Sequence, residues 1–113
     1  MGAALQAAGQ GEQAAQAFNH AVELDPRNPV AQRTLAALLL DQQNFDGALT
    51  HAEEAVRLAP RDPAAHTVLG LALAAKLRLD EAIGEFQTSL EIQPSDDQTR
   101  QYLERALKVK KAS

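Results

Sequence analysis

Apolar residues recur along this chain at the spacing of an amphipathic α-helix, in segments separated by short polar or proline-containing breaks. One segment starts after Asn28, which suits the N-cap position, with Pro29 at the first helical position. It is predicted to run from about residue 29 to residue 42. A second segment follows the polar break Gln-Gln-Asn and carries its apolar residues on one face: Phe45, Ala48, Leu49, Ala52, Val56 and Leu58. The pattern therefore predicts two helices joined by a tight turn.

The same arrangement follows further along the chain. Asp62 and Pro63 start a helix, a turn runs from Arg78 to Asp80, and the next helix ends before Pro94. A last amphipathic stretch carries Tyr102, Leu103, Ala106, Leu107 and Val109 on one face and is predicted to be a terminal capping helix. We expect seven helices, the first one short, and negligible strand content. The predicted turns lie near Gly9–Gly11, Asp25–Asn28, Gln43–Asn44, Pro60–Asp62, Leu77–Arg78 and Pro94–Asp96.

These segments repeat with a fixed period. Pro26, Pro60 and Pro94 are spaced equally, since 60 minus 26 and 94 minus 60 both give 34. Small residues keep the same step, and they let paired helices approach closely: Ala36, Ala48 and Ala55 correspond to Gly70, Ala82 and Ser89. The sequence therefore predicts one all-α domain over residues 1–113. Its expected parts are a partial repeat 1–28, repeats 29–62 and 63–96, and a capping helix 97–113.

One repeat carries a family signature. Leu69-Gly70, followed by Ala82, Phe86 and Pro94, matches the Leu-Gly, Ala, Phe and Pro of the tetratricopeptide repeat at the same offsets. The chain thus resembles the tetratricopeptide-repeat family, as a bacterial-type domain, over nearly its whole length.

The sequence also departs from that signature. The leading Trp position holds Gln32 and His66, and the Tyr position holds Leu39 and Leu73. Packing between units is favoured for His66 over metal ligation. These replacements leave the subfamily open but do not disturb the fold.

The resemblance implies a right-handed superhelix, an α-solenoid, in which the first helix of each unit lines a concave groove. If the family's groove positions carry over, the partner-binding residues are Val30, Arg33, Thr34, Ala37, Leu40, Ala64, Thr67, Val68, Leu71, Tyr102 and Arg105. The carboxylate clamp of co-chaperone members is missing, because its positions hold Ala3, Thr34, Ala64 and Val68. An asparagine ladder is missing too. The groove therefore favours an apolar or amphipathic segment of a partner protein. The alternative is that these residues are covered by the capping helix or are ordinary surface.

Composition narrows the function further. The formal net charge of -4 argues against a nucleic-acid partner, and no apolar run is long enough to cross a membrane. The chain has no Cys, and its three His residues fall at different repeat positions. No catalytic, metal or cofactor site can be assembled, so no enzyme activity and no cofactor are expected. The compartment is left open, with the cytoplasm favoured.

The start of the chain suggests a second function. Met1 falls in the middle of the first helix of a repeat, which favours a structural or regulatory fragment of a larger multidomain protein, or an unusually truncated native start. Leu5, Ala15, Phe18 and Val22 are expected to form an apolar edge with little polar covering. We therefore predict a homodimer through this N-terminal edge, or stacking on a preceding repeat.

Overall fold

The computed structural model describes the backbone of residues 2–112 and the side chains of residues 11–112. Its helices are α1 (Gly2–Leu24), α2 (Pro29–Asp41), α3 (Phe45–Leu58), α4 (Pro63–Ala75), α5 (Leu79–Ile92) and α6 (Asp97–Ala112). This part of the chain contains no β-strand, so the predicted all-α class is confirmed. None of the helices found there has both the length and the apolar character that crossing a membrane requires.

Residues 2–112 form six helices, whereas the sequence predicted seven for the chain. The expected turn at Gly9–Gly11 is not formed, because α1 runs without interruption from Gly2 to Leu24. Residues before this turn would have made a helix of barely two turns, which is too short to be stable by itself. A turn there would also break backbone hydrogen bonds that the continuous helix keeps. The prediction of a separate short first helix was therefore wrong.

Side-chain caps explain where α2, α3 and α4 begin. The side-chain oxygen of Asn28 accepts a hydrogen bond from the backbone N–H of Val30 at 3.1 Å, and Asp62 does the same for Ala64 at 3.1 Å. Each cap is followed by a proline, which needs no hydrogen-bond partner for its nitrogen. The Asn44 side chain caps α3. The predicted starts of α2, α3 and α4 are therefore confirmed. The turn predicted from Arg78 to Asp80 was placed too far along the chain, because α5 already begins at Leu79.

The helices pack as antiparallel pairs, α2 with α3 and α4 with α5, and each pair contacts the next helix in the chain. The small residues that the repeat predicted at the pair contacts have no exposed surface at Ala36, Ala48, Ala55, Ala82 and Ser89. The contact leaves no room for a side chain at Gly70, where an added Cβ would lie 2.5 Å from Cε1 of Phe86. Close helix pairing therefore depends on these small side chains.

Among the described helices, helix α1 packs only on α2. This packing buries two residues of the predicted apolar edge, Ala15 and Val22. Ala15 and Val22 are 7% and 8% exposed and pack in a cluster with Leu35. The prediction that they belong to an uncovered edge was wrong, because one face of α1 is needed to cover the next pair. Phe18 remains partly exposed, and the side chain of Leu5 lies outside the described residues.

Candidate functional site

The predicted groove residues lie on α2, α4 and α6, and α4 contacts both of the other helices. None of the eleven is buried: Val30, Ala64 and Arg105 are exposed, and the rest are partly buried. The three helices therefore present a continuous surface on which these side chains meet solvent.

Three of the predicted residues, Leu71, Tyr102 and Arg105, come together in one cleft between α4, α5 and α6. Its volume is about 280 Å³. The remaining lining residues are Ala74, Leu77, Leu79, Phe86, Ala106 and Val109. Arg105 is the one charged side chain in the lining, and the walls are otherwise almost entirely apolar. The other eight predicted residues, Val30, Arg33, Thr34, Ala37, Leu40, Ala64, Thr67 and Val68, do not line it.

Two aromatic rings form the floor and one wall of this cleft. Phe86 is 1% exposed, and its ring centroid lies 6.0 Å from that of Tyr102 with the planes tilted by 32°. Phe86 is also held against Gly70 on α4. Because tightly packed side chains have little freedom to move, the floor of the cleft is formed before any ligand arrives.

Leu77 lies at the rim of the cleft, and the sequence analysis placed it in a turn without assigning it to the groove. Its side chain is 75% exposed and its φ is 61°, in the left-handed region. That conformation costs about 1–2 kcal/mol for a residue with a Cβ. Gln43 occupies the same repeat position with a φ of 62°. The signal that could have identified Leu77 is an apolar residue at a turn position where the preceding repeat has a polar one.

The cation of the cleft is available for a ligand. Within the described part of the chain, the Arg105 side chain makes no hydrogen bond or ion pair. Arg33, by contrast, donates to Asp62 at 2.6 Å, and this half-buried pair joins α2 to the start of α4. Arg33 was predicted as a cation of the groove, but its guanidinium forms an ion pair with Asp62 instead.

Thr67, another predicted groove residue, also takes part in contacts within the domain. Its hydroxyl lies 2.7 Å from that of Ser89 and 2.9 Å from that of Thr99. Thr99 in turn donates to Asp96 at 2.5 Å, and this hydrogen bond lowers the pKa of the Asp96 carboxyl below its usual value. The hydroxyl chain fastens α6 to the preceding pair, which fixes one wall of the cleft.

His66 is buried and contacts residues of two repeats, which fits the packing between units that the sequence analysis favoured. Its ring is 7% exposed, with Nε2 donating to the Pro60 carbonyl at 2.7 Å and Nδ1 at 2.9 Å from Oε2 of Glu85. Both ring nitrogens are therefore used in local contacts.

Comparisons with known proteins identify the family. The family model for the tetratricopeptide repeat matches residues 33–97, which is more than half of the chain. No curated protein is similar enough in sequence to count as a relative.

Several solved structures share the fold. MamA from Desulfovibrio magneticus RS-1, from residue 41 to its end, is 29% identical with a TM-score of 0.84, and the match covers 98% of this chain and 63% of that one. This chain therefore spans less than two thirds of that MamA structure. The first such domain of Spaghetti (RPAP3), bound to an HSP90 peptide, is 24% identical with a TM-score of 0.86, covering 99% and 88%. The Sgt2 domain from Aspergillus fumigatus is 24% identical with a TM-score of 0.85, covering 98% and 76%. The chain belongs to the tetratricopeptide-repeat family, and its stacked helical pairs form a protein-binding scaffold.

Proposed function

We propose that this domain binds an apolar or amphipathic segment of a partner protein along the surface formed by α2, α4 and α6. The observation that carries the proposal is the apolar cleft at the end of this surface, where Leu71 and Tyr102 remain in contact with solvent beside Arg105. Grooves of this kind recognise amphipathic helices through a few anchoring apolar side chains.

The chemistry of the groove distinguishes it from a carboxylate clamp. The RPAP3 domain is bound to an HSP90 peptide, but the clamp positions of co-chaperone members correspond here to residues without a positive charge. Ala64 and Val68 have no polar side-chain atom, and Thr34 is neutral. The Ala3 side chain lies outside the described residues. Apolar contact therefore has to supply most of the affinity.

A peptide library displayed on phage and selected on the purified domain tests this function. Selected peptides should bind the wild-type domain and lose binding when Leu40 and Leu71 are both replaced by Glu, because a charge in an apolar groove is costly to desolvate. Leu24→Glu is the matched control, since Leu24 is 75% exposed at the end of α1 and lies outside the groove. Circular dichroism would verify that each variant folds. Equal binding by the double variant would move the site elsewhere.

Self-association through the N-terminal edge is the second candidate function. Phe18 is partly exposed, whereas its repeat equivalents Ala52 and Phe86 are 0% and 1% exposed. Ala14 and Ala21, on the same face of α1, are also only partly buried. A second copy, or a preceding repeat in a larger multidomain protein, could cover this face. Light scattering at rising concentration should show a dimer that Phe18→Glu dissolves. A wild-type protein that stays monomeric would contradict this function.

A further inference from the structure

We propose that the cleft binds one large apolar side chain of the partner segment together with a carboxylate about one helical turn away on the same segment. This inference rests on the proposed function, because it specifies the chemistry of the segment that the groove receives. Leu77, Phe86 and Arg105 carry the argument.

The shape of the cleft favours a single apolar anchor. Its volume of about 280 Å³ is at the small end of ligand pockets, and Phe86 closes its floor. Residues of three different helices form the walls, so an inserted side chain would lose water on several sides at once. In protein interfaces such enclosed apolar anchors provide most of the binding energy.

Leu77 extends the apolar wall beyond what the fold needs. It lies in the turn between α4 and α5, and the same turn between α2 and α3 is formed with Gln43 at nearly the same φ. The backbone therefore does not require leucine at this position. The Leu77 side chain is 75% exposed at the rim of the cleft, where an inserted partner side chain would cover it.

Arg105 supplies the charge preference. Three other arginines each pair with a carboxylate three residues away in the sequence, as Arg100 does with Asp97 at 2.8 Å. The residues three and four positions from Arg105 are Gln101, Tyr102, Lys108 and Val109. None is acidic, so α6 offers Arg105 no such partner within helical reach. A carboxylate on the bound segment would therefore pair with a cation that has no partner among the described residues.

Fluorescence anisotropy with matched helical peptides tests the inference. The reference peptide carries one Leu and, one turn away, one Glu; the others replace Leu by Ala, or Glu by Gln or Lys. We expect the Ala peptide to bind about ten- to a hundredfold more weakly, from the lost apolar burial. The Gln peptide should bind about two- to fivefold more weakly, as for an exposed ion pair.

Variants of the domain locate the effect. Leu77→Gln copies the residue of the equivalent turn, so the fold should be kept while the reference peptide binds about three- to tenfold more weakly. Arg105→Gln should remove the difference between the Glu and Gln peptides, and Arg105→Glu should reverse the preference toward Lys. Arg57→Gln, on α3 outside the cleft, is the matched control and should change nothing.

The outcomes separate this inference from the proposed function. Failure of the reference peptide to bind, equal affinity of the Glu, Gln and Lys peptides, or an unchanged affinity of Leu77→Gln would each overturn the inference. If peptides selected from the phage library still depend on Leu40 and Leu71, the proposed function stands without it. If no library peptide binds the groove either, both are wrong.

Discussion

The pair α2–α3 and the pair α4–α5 occupy the same repeat positions but fill them with different side chains. At one repeat position, Ala36 is buried in the same cluster as Ala52 in the first pair, and Gly70 lies against Phe86 in the second. The position equivalent to Phe86 holds Ala52 in the first pair. Bulk on one helix is therefore matched by its absence on the other, and the second pair gains an aromatic floor for the cleft.

The two pairs also differ in a polar contact that occupies the same repeat positions. In the first pair, this contact joins Gln32 to His51. Gln32 donates from Nε2 to the Pro26 carbonyl at 3.0 Å. Because a carbonyl oxygen can only accept, this bond turns the amide oxygen of Gln32 toward Nδ1 of His51 at 2.8 Å. Burial lowers the pKa of His51 below its ordinary value.

In the second pair, His66 takes the place of the glutamine and Glu85 the place of the histidine. His66 donates to the Pro60 carbonyl at 2.7 Å, and its other nitrogen lies 2.9 Å from the Glu85 carboxylate. The geometry is kept while donor and acceptor change places between the helices. Residues at these positions therefore act as pairs, and changing one member alone should cost more than changing both.

The largest expected effect is at the aromatic floor. Phe86→Ala should lower the free energy of unfolding by about 3–5 kcal/mol, because it leaves a cavity among α4, α5 and α6. Adding Gly70→Ala and Leu79→Phe copies the first pair, in which Phe45 stands at the Leu79 position, and should recover much of the loss. Urea unfolding measures both. If the triple variant is less stable than Phe86→Ala, larger side chains at positions 70 and 79 do not compensate for the volume lost at position 86.

A smaller effect is expected at the contact between Gly70 and Phe86. Gly70→Ala places a Cβ 2.5 Å from Phe86, so it should destabilise the domain by about 1–3 kcal/mol. Gly84→Ala is the matched control, since its added Cβ would meet nothing within 4 Å and alanine favours the helix by about 0.5–1 kcal/mol. Thermal unfolding of both variants checks the prediction. Similar stability of the two would contradict the tight contact.

The polar contact gives the next prediction. His66→Gln should cost about 1–2 kcal/mol, because the amide oxygen would face the Glu85 carboxylate and both groups accept hydrogen bonds. Adding Glu85→His restores the donor and reproduces the first pair, so the double variant should be more stable than the single one. A double-mutant cycle by urea unfolding gives the coupling. Additive effects would show that the two residues do not act as a pair.

The smallest expected effect is a pH dependence of stability that comes from His51 in the first pair. The pKa of His51 is lowered in the folded state. The folded domain therefore binds fewer protons than the unfolded chain, and it loses stability as pH falls below about 6.5, the ordinary pKa of histidine. The loss is complete once pH passes below the folded pKa. His51→Gln should remove this part of the pH dependence, which unfolding between about pH 8 and pH 5 would measure. The lowered pKa of Asp96 stabilises the folded domain, and this contribution is lost only as pH falls below the ordinary value of 3.8. A His51→Gln variant with the same pH profile of stability as the wild-type protein would contradict the burial effect.

Local rules made much of the fold predictable. The caps at Asn28 and Asp62 and the period of 34 residues depend on residues close in sequence, and the structure confirms them. The same rules failed at Gly9–Gly11. A glycine there permits a turn, but only packing of the segment before it could make a turn more stable than a continuous helix.

The sequence by itself determined which residues share a helix face, because that follows from 3.6 residues per turn. The resemblance to the tetratricopeptide-repeat family predicted, in addition, that Leu71, Tyr102 and Arg105 lie on the groove side of their helices. Only the tertiary structure decided that these three meet in one cleft, that Leu77 forms its rim, and that Arg33 is used by Asp62. The physical reason is that distances between side chains on different helices depend on how the helices cross, and close packing sets those crossings through all the contacts together.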